Sequence, residues 1–270
     1  MHGHETDRGA VGLAVAFLLG VLVALLCWTL VLGIGPPTAD FALFGPTAPT
    51  PDADGDLLAD DWERAGETPS GAPLPDADPN RKDVYVHIAY GANVDPLSAT
   101  ELARLERLWA DMPVENPDGT TGIDLHVVTQ QALGEPVAYE NVSAGDVRGQ
   151  YTETRLGDGF CTYYGVTLGS IDDGDHLGFA DAPGYASLVH RNTPWYAHDG
   201  NGVAGVVTHE LLHSVAGQVG EGGHTERGWL SGSATGPRDF LSATTTDRLN
   251  ERGFTFPETT HRHYAETCSV

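Results

Sequence analysis

Lysine is nearly absent from this chain of 270 residues: Lys82 is the only one, and the other 13 of its 14 cationic side chains are arginines. Against them stand 38 Asp and Glu, a formal net charge of -24. Such a field repels polyanions and excludes nucleic-acid binding as the main activity. An acidic, lysine-poor surface fits a halophilic protein, because carboxylates hold water and their mutual repulsion is screened at high salt. A merely acidic secreted protein is the alternative. Cysteine is scarce as well, with three residues and no CxxC element, which excludes a disulfide-built fold. Cys27 lies in an apolar stretch, leaving Cys161 and Cys268 either to join in an oxidising compartment or to stay as two buried thiols. Charged residues are only 19% and hydrophobic ones 40%, which keeps the chain out of the disordered class. No internal repeat is evident.

From Val11 to Gly35 there is no charge at all, and Val, Leu, Ala and Phe dominate. About 20 such residues span a bilayer as a helix. The run exceeds the apolar region of a signal peptide and ends at Ile34-Gly35-Pro36-Pro37, so an uncleaved anchor is expected over residues 11–35, with a cleaved signal as the other reading. Arg8 precedes the run and no Lys or Arg follows until Arg64, which places residues 1–10 in the cytoplasm and the remainder outside the cell.

Residues 36–80 read as a stalk. Pro36, Pro37, Pro46, Pro49 and Pro51 keep the chain semi-extended, and residues 66–80 are again rich in Pro, Gly and Asp. Between them, Asp52, Asp54, Asp56 and Asp60, with Glu63, fall at positions one, three, five, nine and twelve of a calcium-type loop, the spacing by which carboxylates converge on a hard cation. Position six, normally Gly, is Leu57, so either the turn differs or Gly55 supplies the flexibility one residue early. Asp52, Asp54, Asp56 and Glu63 are the candidate Ca²⁺ ligands; plain acidic surface is the other reading.

Residues 81–270 form the main domain. Asp83–Tyr90 and Gly122–Thr129 read as strands, with a short third at Tyr185–His190. Ser98 and Glu101 make a capping box that opens a helix, Leu102, Leu105, Leu108, Trp109 and Met112 share one face of it, and Pro113 ends it. Strands alternating with helices indicate an α/β or α+β domain. His87, His126 and His190 lie within strands and read as core residues; His198, His261 and His263 read as surface.

The segment that carries chemistry is His209-Glu210-Leu211-Leu212-His213. Two His at i and i+4 stand one turn apart on one helix face, close enough for both imidazoles to meet one Zn²⁺, and the Glu between them can reach a water at the metal. Val203, Val206, Val207 and Leu211 fit the buried stripe of that helix, and Gly217 lies past its end. A catalytic zinc usually takes three protein ligands. His224 is the expected third, because Gly217, Gly220, Gly222 and Gly223 let the chain turn back; Glu221, Glu226 and the more distant Asp239 are the alternatives.

Asn201–His224 resembles the active-site helix of zincin metallopeptidases, and Gly217 with a further His resembles the metzincin branch. The Asp52–Glu63 loop leading into Pro79–Val84, with Asn116–Gly119, is similar to secreted zincins preceded by an acidic calcium-type loop. The chain departs from the metzincin pattern. Ala216 and Val219 stand where Gly and the third His would fall, and no Met follows the motif. The resemblance implies an α+β (α/β-like) zincin domain, with a twisted mixed sheet and an active-site helix, here preceded by one transmembrane helix. It implies an edge strand from Gly178–Gly184 and Tyr185–His190 that aligns a peptide substrate, and Glu210 as the general base. Tyr264 or a nearby His would steady the oxyanion. The expected protein is a membrane-anchored extracellular zinc endopeptidase. The alternative is a catalytically inactive zincin-fold adhesion module, and an amidase acting on a surface polymer is a third reading.

Overall fold

The computed structural model describes residues 51–154, 156–172, 176–193, 201–232 and 239–255, all within one unit, Thr50–Val270. The expected anchor Val11–Gly35, together with Cys27, His198, His261, His263, Tyr264 and Cys268, lies outside the described residues. Among the described residues no helix is long and apolar enough to cross a membrane.

The domain is mixed α/β. Its elements are α1 (Asp60–Ala65), β1 (Asp83–Tyr90), α2 (Ala99–Ala110), β2 (Asp124–Ala132), β3 (Ala138–Tyr139), α3 (Ala144–Glu153), β4 (Tyr164–Ile171), β5 (Gly178–Ala180), β6 (Ala186–His190), α4 (Gly202–Ala216) and α5 (Ala243–Arg252). The sheet runs β2-β1-β4-β6-β5, with β3 pairing β4 to one side. The β1–β2, β1–β4 and β4–β6 pairs are parallel, whereas β5 lies antiparallel to β6 at the end of the sheet.

Strand β1 starts and ends where the sequence places it, and every residue from Asp83 to Ala89 is buried. A strand inside a parallel sheet has both faces covered, so its sequence reads as a continuous run. Helix α2 begins on the predicted capping box: Ser98 Oγ accepts from Glu101 N at 3.3 Å and Glu101 Oε2 accepts from Ser98 N at 2.7 Å. Loss of such a cap costs about 0.5–2 kcal/mol. Leu105 and Trp109 are its buried residues.

Helix α4 departs from the one-sided stripe. Every residue from Val203 to Ala216 except His209 is buried, because the sheet, α2 and α5 surround it. Helices α3 and α4 cover opposite faces of the sheet. A Cβ at Gly165 would meet Tyr151 of α3, whereas Ser187 Oγ lies 3.4 Å from Ser214 Oγ of α4. Gly165 pairs with Ala186, the neighbour of Ser187, and adjacent strand residues point to opposite faces.

The acidic loop and the segment after it share this core, to which Leu58, Ala72 and Leu74 belong. Cys161 is disulfide-bonded, and its partner lies outside the described residues. His87 is buried, His126 bonds to Asp83 Oδ1, and His190 Nδ1 accepts from Ile171 N, as expected of strand residues packed in or beside a core.

Candidate active site and metal centres

Three imidazoles converge at the end of α4. His209 Nε2 and His213 Nε2 are 3.1 Å apart, and His213 Nε2 and His224 Nε2 are 3.3 Å apart. Helix geometry sets the first spacing. The second is set by a tight turn, in which Gly222 and Gly223 adopt φ of 61° and 83° and His224 N donates to Glu221 O. Two successive positive φ values are those of a type I′ turn, which glycines adopt without strain. Glu221, Glu226 and Asp239, the alternatives for the third position, are exposed.

Proton placement decides what the triad can do. His209 Nδ1 lies 2.5 Å from Trp229 O, and His224 Nδ1 lies 3.2 Å from Gly222 O. A carbonyl only accepts, so both Nδ1 atoms carry a hydrogen, and Nε2 is the atom each ring has left for a metal. His213 is held down to about 3 by burial and by the neighbouring His209 and His224, so that ring is neutral. Three ring nitrogens this close together are placed to share one cation between them. Nitrogens roughly 2.0–2.1 Å from a tetrahedral Zn²⁺ stand about 3.3–3.4 Å apart, close to the spacing found here. The His triad fits a metal ion.

Glu210, the next residue of α4 after His209, is buried, and burial pushes its carboxyl up to about 8. Over it passes the edge strand: a Cβ built on Gly178 would lie 2.6 Å from Glu210 Oε1. The β5–β6 hairpin is tied to α4 by Gly184 N donating to Ser214 O at 3.4 Å, and to the segment after α4 by Gln218 Nε2 donating to Ala182 O at 3.2 Å. Trp229 was not legible as a site residue, since it acts through its carbonyl, and Gly178, expected only as part of the edge strand, gave no sign of its contact with Glu210.

A second cluster lies on the acidic loop. Ligand atoms of Asp52, Asp54 and Asp56 are mutually within 4.8 Å, and so are those of Asp56, Glu63 and Asp83. Asp83, at the start of β1, is the residue the loop pattern does not contain. Asp52 accepts from Gly55 N and Leu57 N, and Asp56 accepts from Leu58 N and Asp83 N. Leu57 adopts φ 77° and Gly55 φ 82°, so the turn takes the left-handed form at both places, with leucine standing where glycine is usual. Asp60 is drawn off to Ala53 N and Arg64.

The cluster is acidic and buried. Burial, then Asp52, pushes Asp54 up to about 7; burial, then Asp54 and Asp83, pushes Glu63 up to about 8. Burial raises Asp56 and Asp83 as well. Among the described residues no Lys or Arg forms an ion pair with Asp54, Asp56, Glu63 or Asp83, and buried Lys82 spends its ammonium on Glu115 O.

Fold and site together define a mixed α/β domain whose central helix carries two of three imidazoles that could hold a metal ion. Among solved structures the chain is similar to metalloproteinase-II from Bacteroides fragilis, at 12% identity and a TM-score of 0.45, covering 64% of this chain and 53% of that one. The chain thus spans about half the length of that neighbour. No protein-family model and no curated protein matches it.

Proposed function

We propose that the protein is a membrane-anchored, outward-facing zinc endopeptidase. The observation that carries this reading is the convergence of His209, His213 and His224 through Nε2, with two of the tautomers fixed by backbone carbonyls, at a helix that also carries Glu210. These three side chains would hold the metal. Zinc, when bound, supplies Lewis acidity that brings water towards ionisation at neutral pH and polarises a carbonyl. Glu210 takes the proton of the attacking water and returns it to the leaving amine. Strand β5, at the end of the sheet, offers backbone groups with which an extended peptide can pair, and Gly178 sets that edge directly over Glu210. The uncharged run Val11–Gly35 anchors the chain, and the acidic loop takes Ca²⁺.

The test is the zinc content of the purified chain, read with casein cleavage before and after chelation. About one zinc per chain, with cleavage that chelation abolishes and zinc restores, is expected. Bound zinc without cleavage would favour the inactive binding module instead, and absence of zinc would overturn both the metal centre and the peptidase.

A further inference from the structure

Glu63 is 3% exposed, and neither of its carboxylate oxygens has a hydrogen-bond partner; Asp54, 6% exposed, leaves Oδ2 bare in the same way. Buried oxygens are almost always satisfied, and a buried carboxylate stripped of water without a partner is among the most unfavourable groups a fold can hold. Here such oxygens face further carboxylates. Asp83, 2% exposed, reaches the group from β1 and not from the loop, and its backbone N–H is bonded to Asp56 Oδ2 at 2.8 Å.

The same loop is bonded to the segment that ties down the zinc-site helix. Phe254 N donates to Gly55 O at 2.7 Å, and Gly55 stands between Asp54 and Asp56. The next residue, Thr255, donates through N to Val215 O at 2.7 Å and through Oγ1 to Ala216 O at 3.2 Å, the last two carbonyls of α4. Two consecutive residues therefore connect the acidic loop to the end of the helix that carries His209 and His213.

We propose that Asp54, Asp56, Glu63 and Asp83 enclose one divalent, oxygen-seeking cation, and that this cation braces the C-terminal end of α4 through Phe254 and Thr255. The proposal rests on the calcium reading of the loop and departs from it in two ways. Asp83 is a ligand supplied from the sheet, and Asp52, whose two oxygens accept from Gly55 N and Leu57 N, is not one. Without the cation, mutual repulsion opens the loop, Gly55 O moves, and the strap on Val215 and Ala216 loosens. With it, the four carboxylates share a double positive charge and are held in register with β1.

The experiment uses the full chain in detergent with Ca²⁺ as the probe, read by calorimetry, by melting temperature and by amide hydrogen exchange. Asp83→Asn weakens Ca²⁺ binding by at least the roughly tenfold to hundredfold that loss of an outer-shell partner costs a metal site. Adding Ca²⁺ to the native chain slows exchange at residues 253–255 and at the end of α4. Glu63→Gln guards against a variant that merely folds poorly: it melts no lower than the native chain without Ca²⁺, and below it with Ca²⁺. Equal affinity in native chain and Asp83→Asn would overturn the assignment of Asp83 while leaving the loop reading intact. No Ca²⁺ binding by the native chain would end both. Binding with unchanged exchange at α4 would overturn the bracing.

Discussion

A methyl group on Gly178 would stand 2.6 Å from Glu210 Oε1 and 2.7 Å from Glu210 Cγ. The edge of the sheet therefore runs directly over the one carboxylate in the HExxH segment, and only a residue without a side chain lets it do so. The strand that would align a peptide and the group that would move its proton are positioned by the same contact.

Gly178→Ala is accordingly expected to displace Glu210 and leave the three imidazoles alone. Zinc content should stay near that of the native chain while kcat for peptide cleavage falls by about tenfold to a hundredfold, the range associated with misplacing a reacting group by an ångström. Parallel metal analysis and steady-state kinetics make the check. Native kcat in the alanine variant would show that Glu210 does not need its present position.

Glu210→Gln and His213→Ala should fail differently. The glutamine keeps the shape and all three imidazoles, so zinc remains while cleavage drops by roughly a hundredfold or more. His213→Ala removes a converging nitrogen from a site 7% exposed, and metal and activity should fall together. Full activity in Glu210→Gln would sink the proposed role of that carboxylate whatever the zinc content.

Much of this was legible where the cause is local. The bounds of β1, the capping box of Ser98 and Glu101, the stop before Pro113 and the one-turn spacing of His209 and His213 depend on neighbours within a few residues. Strand β4 was missed although it lies inside the sheet. It is buried on both faces and so shows no alternation, and Gly165 and Gly169 make it read as a loop. Three-residue β5 is too short to carry a period. Asp83 joins the acidic cluster across 27 residues from Asp56, and nothing in a lone acid beside the only lysine signals that. Long-range pairing is where pattern reading stops.

For the N-terminal segment, the full chain is expected to sediment with membranes and to be released by detergent but not by high salt, since the apolar run Val11–Gly35 is long enough to span. Fractionation followed by N-terminal sequencing makes the check. Recovery from the culture medium with an N-terminus near residue 36 would make the run a cleaved signal.

The third imidazole can be tested through the backbone that places it. Gly220 and Gly222 both have positive φ, 78° and 61°, so alanine at either pays a similar left-handed strain, about 1–2 kcal/mol. Their surroundings differ. A Cβ at Gly222 meets nothing within 4 Å, whereas one at Gly220 would lie 2.1 Å from His224 O, a backbone atom that moves only if His224 moves. If His224 completes the metal site, Gly220→Ala should weaken zinc binding far more than Gly222→Ala at comparable loss of thermal stability, and should approach His224→Ala. Competition with a chelator of known affinity gives the three values. Equal zinc affinity in Gly220→Ala and Gly222→Ala, or native affinity in His224→Ala, would remove His224 from the site and return the third position to a carboxylate such as Glu221 or Glu226.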